Sequence, residues 1–189
     1  MTSLLVLAII VPIAGALFAF VAGGRWVDRV ALATMPPGFA IAVAIAAGLR
    51  PAGGSLVYLL GDWRPPLGVA LRADWLSAVM MVITAVVISA IGVFARTEFS
   101  SGKSGAARRS FAFWLLLLVI WSALNIVFLS GDLFTFYVAL ELLVFAAVPL
   151  VCLDGRAETV QAALRYLLFV LSTVRTQAGC SHAKALARR

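Results

Sequence analysis

Glu141 has the residue type and surroundings best suited to chemistry in this sequence. It is the one acid well inside the apolar run from Leu133 to Leu153, LFTFYVALELLVFAAVPLVCL. In a helix, Glu141 is about 12 Å along the axis from Leu133. In apolar surroundings, desolvation favours the neutral carboxyl, whereas a nearby cation favours the charged one. We therefore predict that Glu141 faces protein and exchanges protons. The alternative is a protonated Glu that makes one interhelical hydrogen bond.

Pro149 and Arg165, which follow Glu141 in the sequence, are the next candidates for its surroundings. Pro149 has no N–H, so a helix that continues through it leaves the carbonyl of Phe145 without its helical partner. Pro149 is then either a polar feature of the site or a packing kink. Arg165 is the one base placed well inside an apolar run. Its side chain either extends towards water, which we favour, or turns inward as the counter-charge of Glu141.

Asn125 and Asp132 are weaker candidates for a proton path. Asn125 has the alternative of an interhelical hydrogen bond, and Asp132 that of capping a helix N-terminus. No nucleophile–base pair, GxxxxGK loop or GxGxxG motif is present. Cys152 and Cys180 form no CxxC motif, and the one histidine is His182. We expect no catalytic residue, no metal site and no cofactor within this chain.

Composition indicates an integral membrane protein. Of the 189 residues, 63% are hydrophobic and 12% are charged, and the mean hydropathy is +1.08. Soluble domains are about 45–50% apolar and about 25% charged. The formal net charge is +7, but the bases stand singly or in pairs, without a basic stripe. We therefore expect the lipid bilayer, and no nucleic acid, as a partner.

The uncharged runs predict an all-α fold with about six transmembrane helices within residues 1–174. Pro36 and Pro37 in the second run predict a kink or a later helix start. The sixth run is the weakest, because it is short and contains Arg165. The predicted spans are Ser3–Ala22, Val30–Leu49, Trp75–Ala95, Phe111–Leu129, Leu133–Leu153 and Thr159–Val174.

The longest connection, residues 50–74, predicts a small external hairpin. Its two short β-type runs, Ser55–Leu60 and Leu67–Leu71, flank a Gly/Asp/Pro cluster. The first, third and fifth connections hold seven bases, and the second and fourth hold three. The positive-inside rule then places the N-terminus and the hairpin outside a bacterial-type inner (cell) membrane. Cys152 and Cys180 would lie on opposite sides and would not pair.

The final stretch, residues 175–189, differs from the rest in composition. It reads RTQAGCSHAKALARR, a polar and basic segment after an apolar helix. Its charge lies on the side that the base count assigns to the outside. We expect a disordered tail that is not native to the fold, and a chain that is a truncated product.

Three stretches resemble the antiporter-like membrane subunits of respiratory complex I, multisubunit cation/proton antiporters and membrane-bound hydrogenases. The first resembles the hairpin and third-helix entry of that family, the second its fifth-helix motif with the key glutamate, and the third a segment where members often have Lys-Tyr. The resemblance covers about residues 1–174. The stretches are GDWRPPLGVALRADWLS at 61–77, GDLFTFYVALE at 131–141 and AALRYLL at 162–168.

The resemblance implies the N-terminal part of a fourteen-helix subunit that translocates protons. It implies that Glu141 is the helix-five glutamate, whose lysine partners have no counterpart in this chain. It also implies other membrane subunits as partners and protons or Na+ as the transported ions. An assembly of the NADH:quinone oxidoreductase type or an antiporter complex would fit, with electron carriers in other subunits. The alternatives are a stand-alone membrane scaffold or assembly protein and a small homo-oligomeric transporter.

Overall fold

The computed structural model describes residues 3–23, 26–49, 55–59, 69–99, 106–155 and 158–169. Five of its helices are long and apolar enough to cross a membrane. A 3-10 turn, Cys152–Asp154, follows the fifth, and residues 158–169 form a sixth helix, α6. The five long helices are α1 (Ser3–Ala22), α2 (Val27–Leu49), α3 (Trp75–Phe99), α4 (Ala106–Leu129) and α5 (Leu133–Val151).

The second helix begins earlier than predicted and continues through its two prolines. It starts at Val27 rather than Val30 and contains Pro36 and Pro37, so the expectation of a later start is wrong. Asp28 lies in the first turn, where an acid interacts favourably with the partial positive charge of a helix N-terminus. The Arg29 guanidinium lies 4.7 Å from the centre of the Trp26 ring. Asp28 and Arg29 therefore belong to α2, although they lie before the apolar run that begins at Val30.

Helix α4 is the centre of the bundle. It packs against α1, α2, α3 and α5, and its Trp114, Leu118 and Trp121 side chains are almost fully buried. The Trp121 ring lies directly over Gly38 of α2, where even a Cβ atom would collide with it. The absence of a side chain at Gly38 therefore lets α2 and α4 approach closely around a large indole.

The predicted hairpin is present as two antiparallel strands, β1 (Ser55–Leu59) and β2 (Ala70–Asp74). Ser55 pairs with Asp74 and Leu59 with Ala70. The second strand therefore ends three residues later than the predicted run. Asp74 accepts hydrogen bonds from the Ser77 N–H at 2.8 Å and the Ser77 hydroxyl at 2.9 Å, which caps the start of α3.

Strand β2 is joined through its backbone to the connection between α4 and α5. The Gly131 N–H donates to the Ala70 carbonyl at 2.7 Å, and Ser130 forms a bridge with Leu71. A Cβ atom at Gly131 would lie 2.9 Å from the Ala70 carbonyl oxygen, so a side chain would force the strand away. We call this pairing of Ala70–Leu71 with Ser130–Gly131 the hairpin clip.

Asp132 joins the hairpin clip to α5. As the N-cap of α5, its carboxylate accepts from the Thr135 N–H at 2.8 Å and the Thr135 hydroxyl at 2.7 Å. It also accepts from the Ala70 N–H at 3.4 Å. Desolvation acts to raise the pKa of Asp132, but the hydrogen bonds from Thr135 and Ala70 outweigh it, and the pKa is lowered. Capping, one of the two roles that the sequence allows Asp132, is the contact that the structure contains.

Removing the Asp132 carboxylate should destabilise the fold in a pH-dependent way. At pH 7 we expect Asp132→Ala to lower the free energy of unfolding by about 1 kcal/mol, and Asp132→Asn, which keeps a capping oxygen, to recover most of it. Because the pKa of Asp132 is lowered in the folded protein, its stabilisation is present above the unfolded value and lost as the pH falls through the folded value.

Detergent-solubilised protein unfolded at pH 7 and at successively lower pH tests this prediction. The difference between wild type and Asp132→Ala should begin to shrink below about pH 4, where the carboxyl takes up a proton in the unfolded chain before it does so in the folded one. A difference that stays constant down to pH 2 would contradict the role given to the ionised carboxylate.

Candidate functional site

A proline in α1 creates a polar contact in the middle of the bundle. Pro12 has no N–H, so the carbonyl of Ala8, four residues earlier, loses its helical partner. The side chain of Asn125 on α4 donates to that carbonyl at 2.7 Å. The Ser122 hydroxyl, one turn earlier on α4, is 3.2 Å from the carbonyl oxygen of Ile9. Asn125 therefore supplies the bond that the α1 backbone lacks.

The interhelical hydrogen bond, one of the two alternatives predicted for Asn125, is present in the structure. The reasoning that an interior proline frees a carbonyl was applied to Pro149 but not to Pro12. The signal was present, since Pro12 lies in the uncharged first span. The Asn125 Oδ1 atom is buried and has no hydrogen-bond partner in the part of the chain that the structure describes.

Helix α5 carries two different faces. Its buried residues, Thr135, Ala139 and Ala146, are spaced by four and seven and so share one face, which packs on α4. Small side chains there let the two helices approach closely. Tyr137 and Glu141 are two residues out of step with this pattern, so they lie about 200° around the helix. Glu141 is therefore on the side of α5 turned away from α4.

Helix α6 lies beside the C-terminal end of α5. A cavity of about 330 Å³ separates the two helices where they meet. Val148 is one of its α5 residues, and it shares a stripe with Tyr137 and Glu141 at helical spacing. The Glu141 side chain is half-buried and lies two turns from Val148. The cavity is lined by Ala147, Val148, Val151, Thr159, Ala162, Ala163 and Tyr166.

Arg165 and Glu141 are not brought together. The residues of α6 that face α5 follow a helical spacing through Thr159, Ala162 and Tyr166, and Arg165 lies beside this stripe with an exposed side chain. Across the described ranges, no ion pair joins Arg165 to Glu141. The arrangement agrees with the favoured interpretation, in which Arg165 extends outward.

Tyr137 is a neighbour of Glu141 that the sequence analysis did not single out. It precedes Glu141 by four residues, and the Glu141 carboxylate acts electrostatically on its hydroxyl. The hydroxyl is inaccessible to solvent and close enough to the Glu141 carboxylate to interact with it, but the two groups are not aligned as a well-formed hydrogen bond. The signal that would have found it is the i, i+4 spacing of Tyr137 and Glu141 on one helix.

The remaining candidates lie apart from this pair. Asp132 is nine residues from Glu141 along the chain, which is about 13 Å along α5. Pro149 lies inside α5, and Phe145, whose carbonyl it leaves without a helical partner, is 52% exposed. Within the residues that the structure describes, no group of three or more His, Cys, Asp or Glu side chains is placed to hold a metal ion. What the site offers chemically is one carboxyl and one phenol within a membrane-spanning helix.

The predicted sixth span and tail are described only in part. Residues 158–169 are helical, and residues 170–189 lie outside the described residues. The expectations for the remainder of the sixth span, for Cys180 and for the basic tail fall on that stretch. Cys152, at the end of α5, is a free thiol.

The fold is that of antiporter-like membrane subunits. Two solved structures are similar to the chain: the membrane-bound sulfane sulfur reductase, an archaeal respiratory membrane complex, with a TM-score of 0.73 and 20% identity, and the Mrp complex from Dietzia sp. DQ12-45-1b, with a TM-score of 0.71 and 23% identity. The match to the sulfane sulfur reductase covers 87% of this chain and 33% of the solved chain. The match to the Mrp complex covers 88% of this chain and 30% of the solved chain.

Curated relatives of known name point to the same class of protein. The chain is 37% identical over 99 residues to a probable K(+)/H(+) antiporter subunit from Rhizobium meliloti (strain 1021), a match that covers 52% of this chain and 17% of that protein. It is 29% identical over 150 residues to a Na(+)/H(+) antiporter subunit from Alkalihalophilus pseudofirmus, a match that covers 76% of this chain and 28% of that protein. No family model matches the chain.

The predicted resemblance to antiporter-like subunits is thereby confirmed. The predicted all-α, multi-pass membrane fold is confirmed as well. The chain spans less than a third of the length of the curated relatives it matches.

The contact between Asn125 and the Ala8 carbonyl predicts a specific dependence on Pro12. We expect Asn125→Leu to lower the free energy of unfolding by about 1 kcal/mol, because the freed carbonyl loses its donor. Pro12→Ala restores the N–H that completes the helical bond of Ala8. In that background, Asn125→Leu should cost close to nothing.

A double-mutant cycle measures this coupling, with unfolding followed by circular dichroism as a denaturing detergent is added. The four proteins needed are wild type, each single variant and the double variant. An equal cost of Asn125→Leu in both backgrounds would show that the bond does not compensate for Pro12.

Proposed function

We propose that this chain is part of a proton-translocating membrane subunit of a cation/proton antiporter complex, with Glu141 as a proton-binding group on its path. The observation that carries the proposal is the position of Glu141, half-buried in a membrane-spanning helix on the face turned away from α4. An ionisable group at such a place is a functional-site candidate, because an exposed lipid-facing position would be far more costly.

The arrangement of α5 supports a role that is separate from holding the bundle together. The face that packs on α4 consists of small apolar or weakly polar residues and contains no titratable group among those described. The carboxyl on the other face is therefore able to gain and lose a proton without breaking a contact to α4. Two of the curated relatives are named for exchange of Na(+) or K(+) against H(+), which supports these ions as the transported species.

A respiratory assembly is the second candidate. The likeness to an archaeal respiratory membrane complex favours it. There the subunit would belong to a complex I-like assembly of the NADH:quinone oxidoreductase type, with the electron-transfer groups in other subunits. In both candidates the partners are further membrane subunits, and the chain itself binds no cofactor.

The proposed setting is a bacterial inner membrane with the N-terminus and the hairpin outside. The base count supports this orientation, since seven bases fall in the first, third and fifth connections and three in the second and fourth. The hairpin clip then lies at the outer surface and the connection between α3 and α4 at the inner one.

Replacing Glu141 by Gln should abolish proton-coupled exchange. Gln has nearly the same shape but neither binds nor releases a proton. Inverted membrane vesicles from cells that produce the chain together with its partner subunits are loaded with a pH-sensitive dye, and Na+ or K+ is added. We expect the dequenching rate to fall by about tenfold or more in Glu141→Gln.

Glu158→Gln is the matched control, because Glu158 is an exposed acid at the start of α6. It should exchange ions at the wild-type rate, with both variants present in the membrane in equal amounts. Exchange at the wild-type rate in Glu141→Gln would remove Glu141 from the proton path.

The proposed orientation predicts which sites a membrane-impermeant thiol reagent can reach from outside intact cells. With Cys152 and Cys180 replaced by Ser, a cysteine at Ser55 in the hairpin should be labelled. A cysteine at Ser104, between α3 and α4, should be labelled only after the cells are opened. The reverse pattern would show that the subunit is inserted the other way round.

A further inference from the structure

We propose that Tyr137 is a positioning residue for Glu141, whose hydroxyl hydrogen-bonds the Glu141 carboxyl and fixes where that carboxyl points during proton exchange. The transport consequence rests on the proposed function, whereas the pairing itself does not. The relevant observations are the spacing of the two residues, the burial of the phenol and the identity of the groups around it.

The spacing places the two side chains together. Tyr137 and Glu141 are one helical turn apart on α5, and residues four apart are surface neighbours on a helix. The carboxylate is the charged group that acts on the Tyr137 hydroxyl. Because Glu141 has several freely rotating side-chain bonds, its carboxyl is able to close the hydrogen bond without any movement of the helix.

The burial of the phenol gives this bond a driving force. The Tyr137 hydroxyl is closed off from solvent, and among the described residues it makes no well-aligned hydrogen bond, with Glu141 as the acceptor within reach. Within a membrane, an unpaired polar group has no water to turn to, so a partner within reach is strongly favoured. A phenol both donates and accepts, so it is able to bind the ionised carboxylate and the neutral acid alike.

The other groups near this pair do not offer the same contact. Tyr166 is the described titratable residue of α6 that lines the gap to α5, and it does so at the level of Val148. Arg165 and Glu158 have exposed side chains. The arginines of α4 lie in its first turns, beside the C-terminal end of α5, where Arg109 approaches Gly155, 14 residues after Glu141. Tyr137 is therefore the residue through which we expect the Glu141 carboxyl to be oriented.

Infrared spectroscopy of the full chain in lipid nanodiscs tests the pairing. The carbonyl stretch of protonated Glu141 is identified as the band that disappears in Glu141→Gln. In Tyr137→Phe, which keeps the ring and removes the hydroxyl, we expect this band to move to higher frequency because the carbonyl loses its donor. Tyr166→Phe is the matched control and should leave the band where it is in wild type.

A second spectrum does not depend on the folding of Tyr137→Phe. Acid–base difference spectra of wild type should contain a tyrosine C–O band that shifts when the carboxyl changes its protonation state, and this band should be absent in Glu141→Gln. An unmoved Glu141 band in Tyr137→Phe, an equal shift in Tyr166→Phe, or a tyrosine band that persists in Glu141→Gln would each overturn the pairing.

These spectra are recorded without ion flux, so they separate the pairing from the proposed function. A shifted Glu141 band together with wild-type exchange in Glu141→Gln would support the pairing and refute the proton path. Loss of exchange in Glu141→Gln, together with a Glu141 band that does not move in Tyr137→Phe, would support the proton path and refute the pairing. If the pairing and the proton path are both correct, we expect Tyr137→Phe to slow exchange less than Glu141→Gln does.

Discussion

The bond from Asn125 to the Ala8 carbonyl is the interaction on which the arrangement of the bundle depends. A membrane interior offers no water to a free backbone carbonyl, so a proline in a spanning helix needs a donor from a neighbouring helix. Pro12 creates that need in α1, and Asn125 meets it from α4 at 2.7 Å. The bond requires that the Asn125 side of α4 faces α1, so it constrains the rotation of α4 about its own axis. With that rotation set, Trp121 of α4 meets Gly38 of α2.

Fixing α4 also decides what α5 is able to present. A short connection returns the chain along α4, and the side of α5 with Thr135, Ala139 and Ala146 packs against it. Glu141, out of step with these residues, is then held on the other side of the helix. The carboxyl is thus placed by contacts that it does not itself make. The polar contact that joins helices lies between α1 and α4, whereas the ionisable side chain of Glu141 lies on the face of α5 turned away from α4.

The parts of this arrangement that follow from the sequence are those set by length and apolarity. Uninterrupted apolar runs predict the spans, and a Gly/Asp/Pro cluster between two short β-type runs predicts the hairpin. Both features depend on local sequence alone. The start of α2 was misplaced because Asp28 and Arg29 are helical residues that an apolar-run criterion excludes. The i, i+4 spacing of Tyr137 and Glu141 is visible in the sequence, whereas the burial of the Tyr137 hydroxyl depends on the packing of the helices and is not. Resemblance pointed to Glu141, but the separation of Arg165 from it is a matter of helix rotation, which a single sequence does not specify.

The hairpin clip has a consequence for how the chain is assembled during synthesis. The Ala70 N–H and its partner Asp132 are 62 residues apart in sequence. At a translation rate of about 5–20 residues per second, β2 is made roughly 3–12 s before its partner. During that interval β1 is the only one of the two pairing partners of β2 that has been made. The clip is able to close only after α3 and α4 have been made, so its closure follows the completion of the first four helices, and its residues precede α5 in the chain.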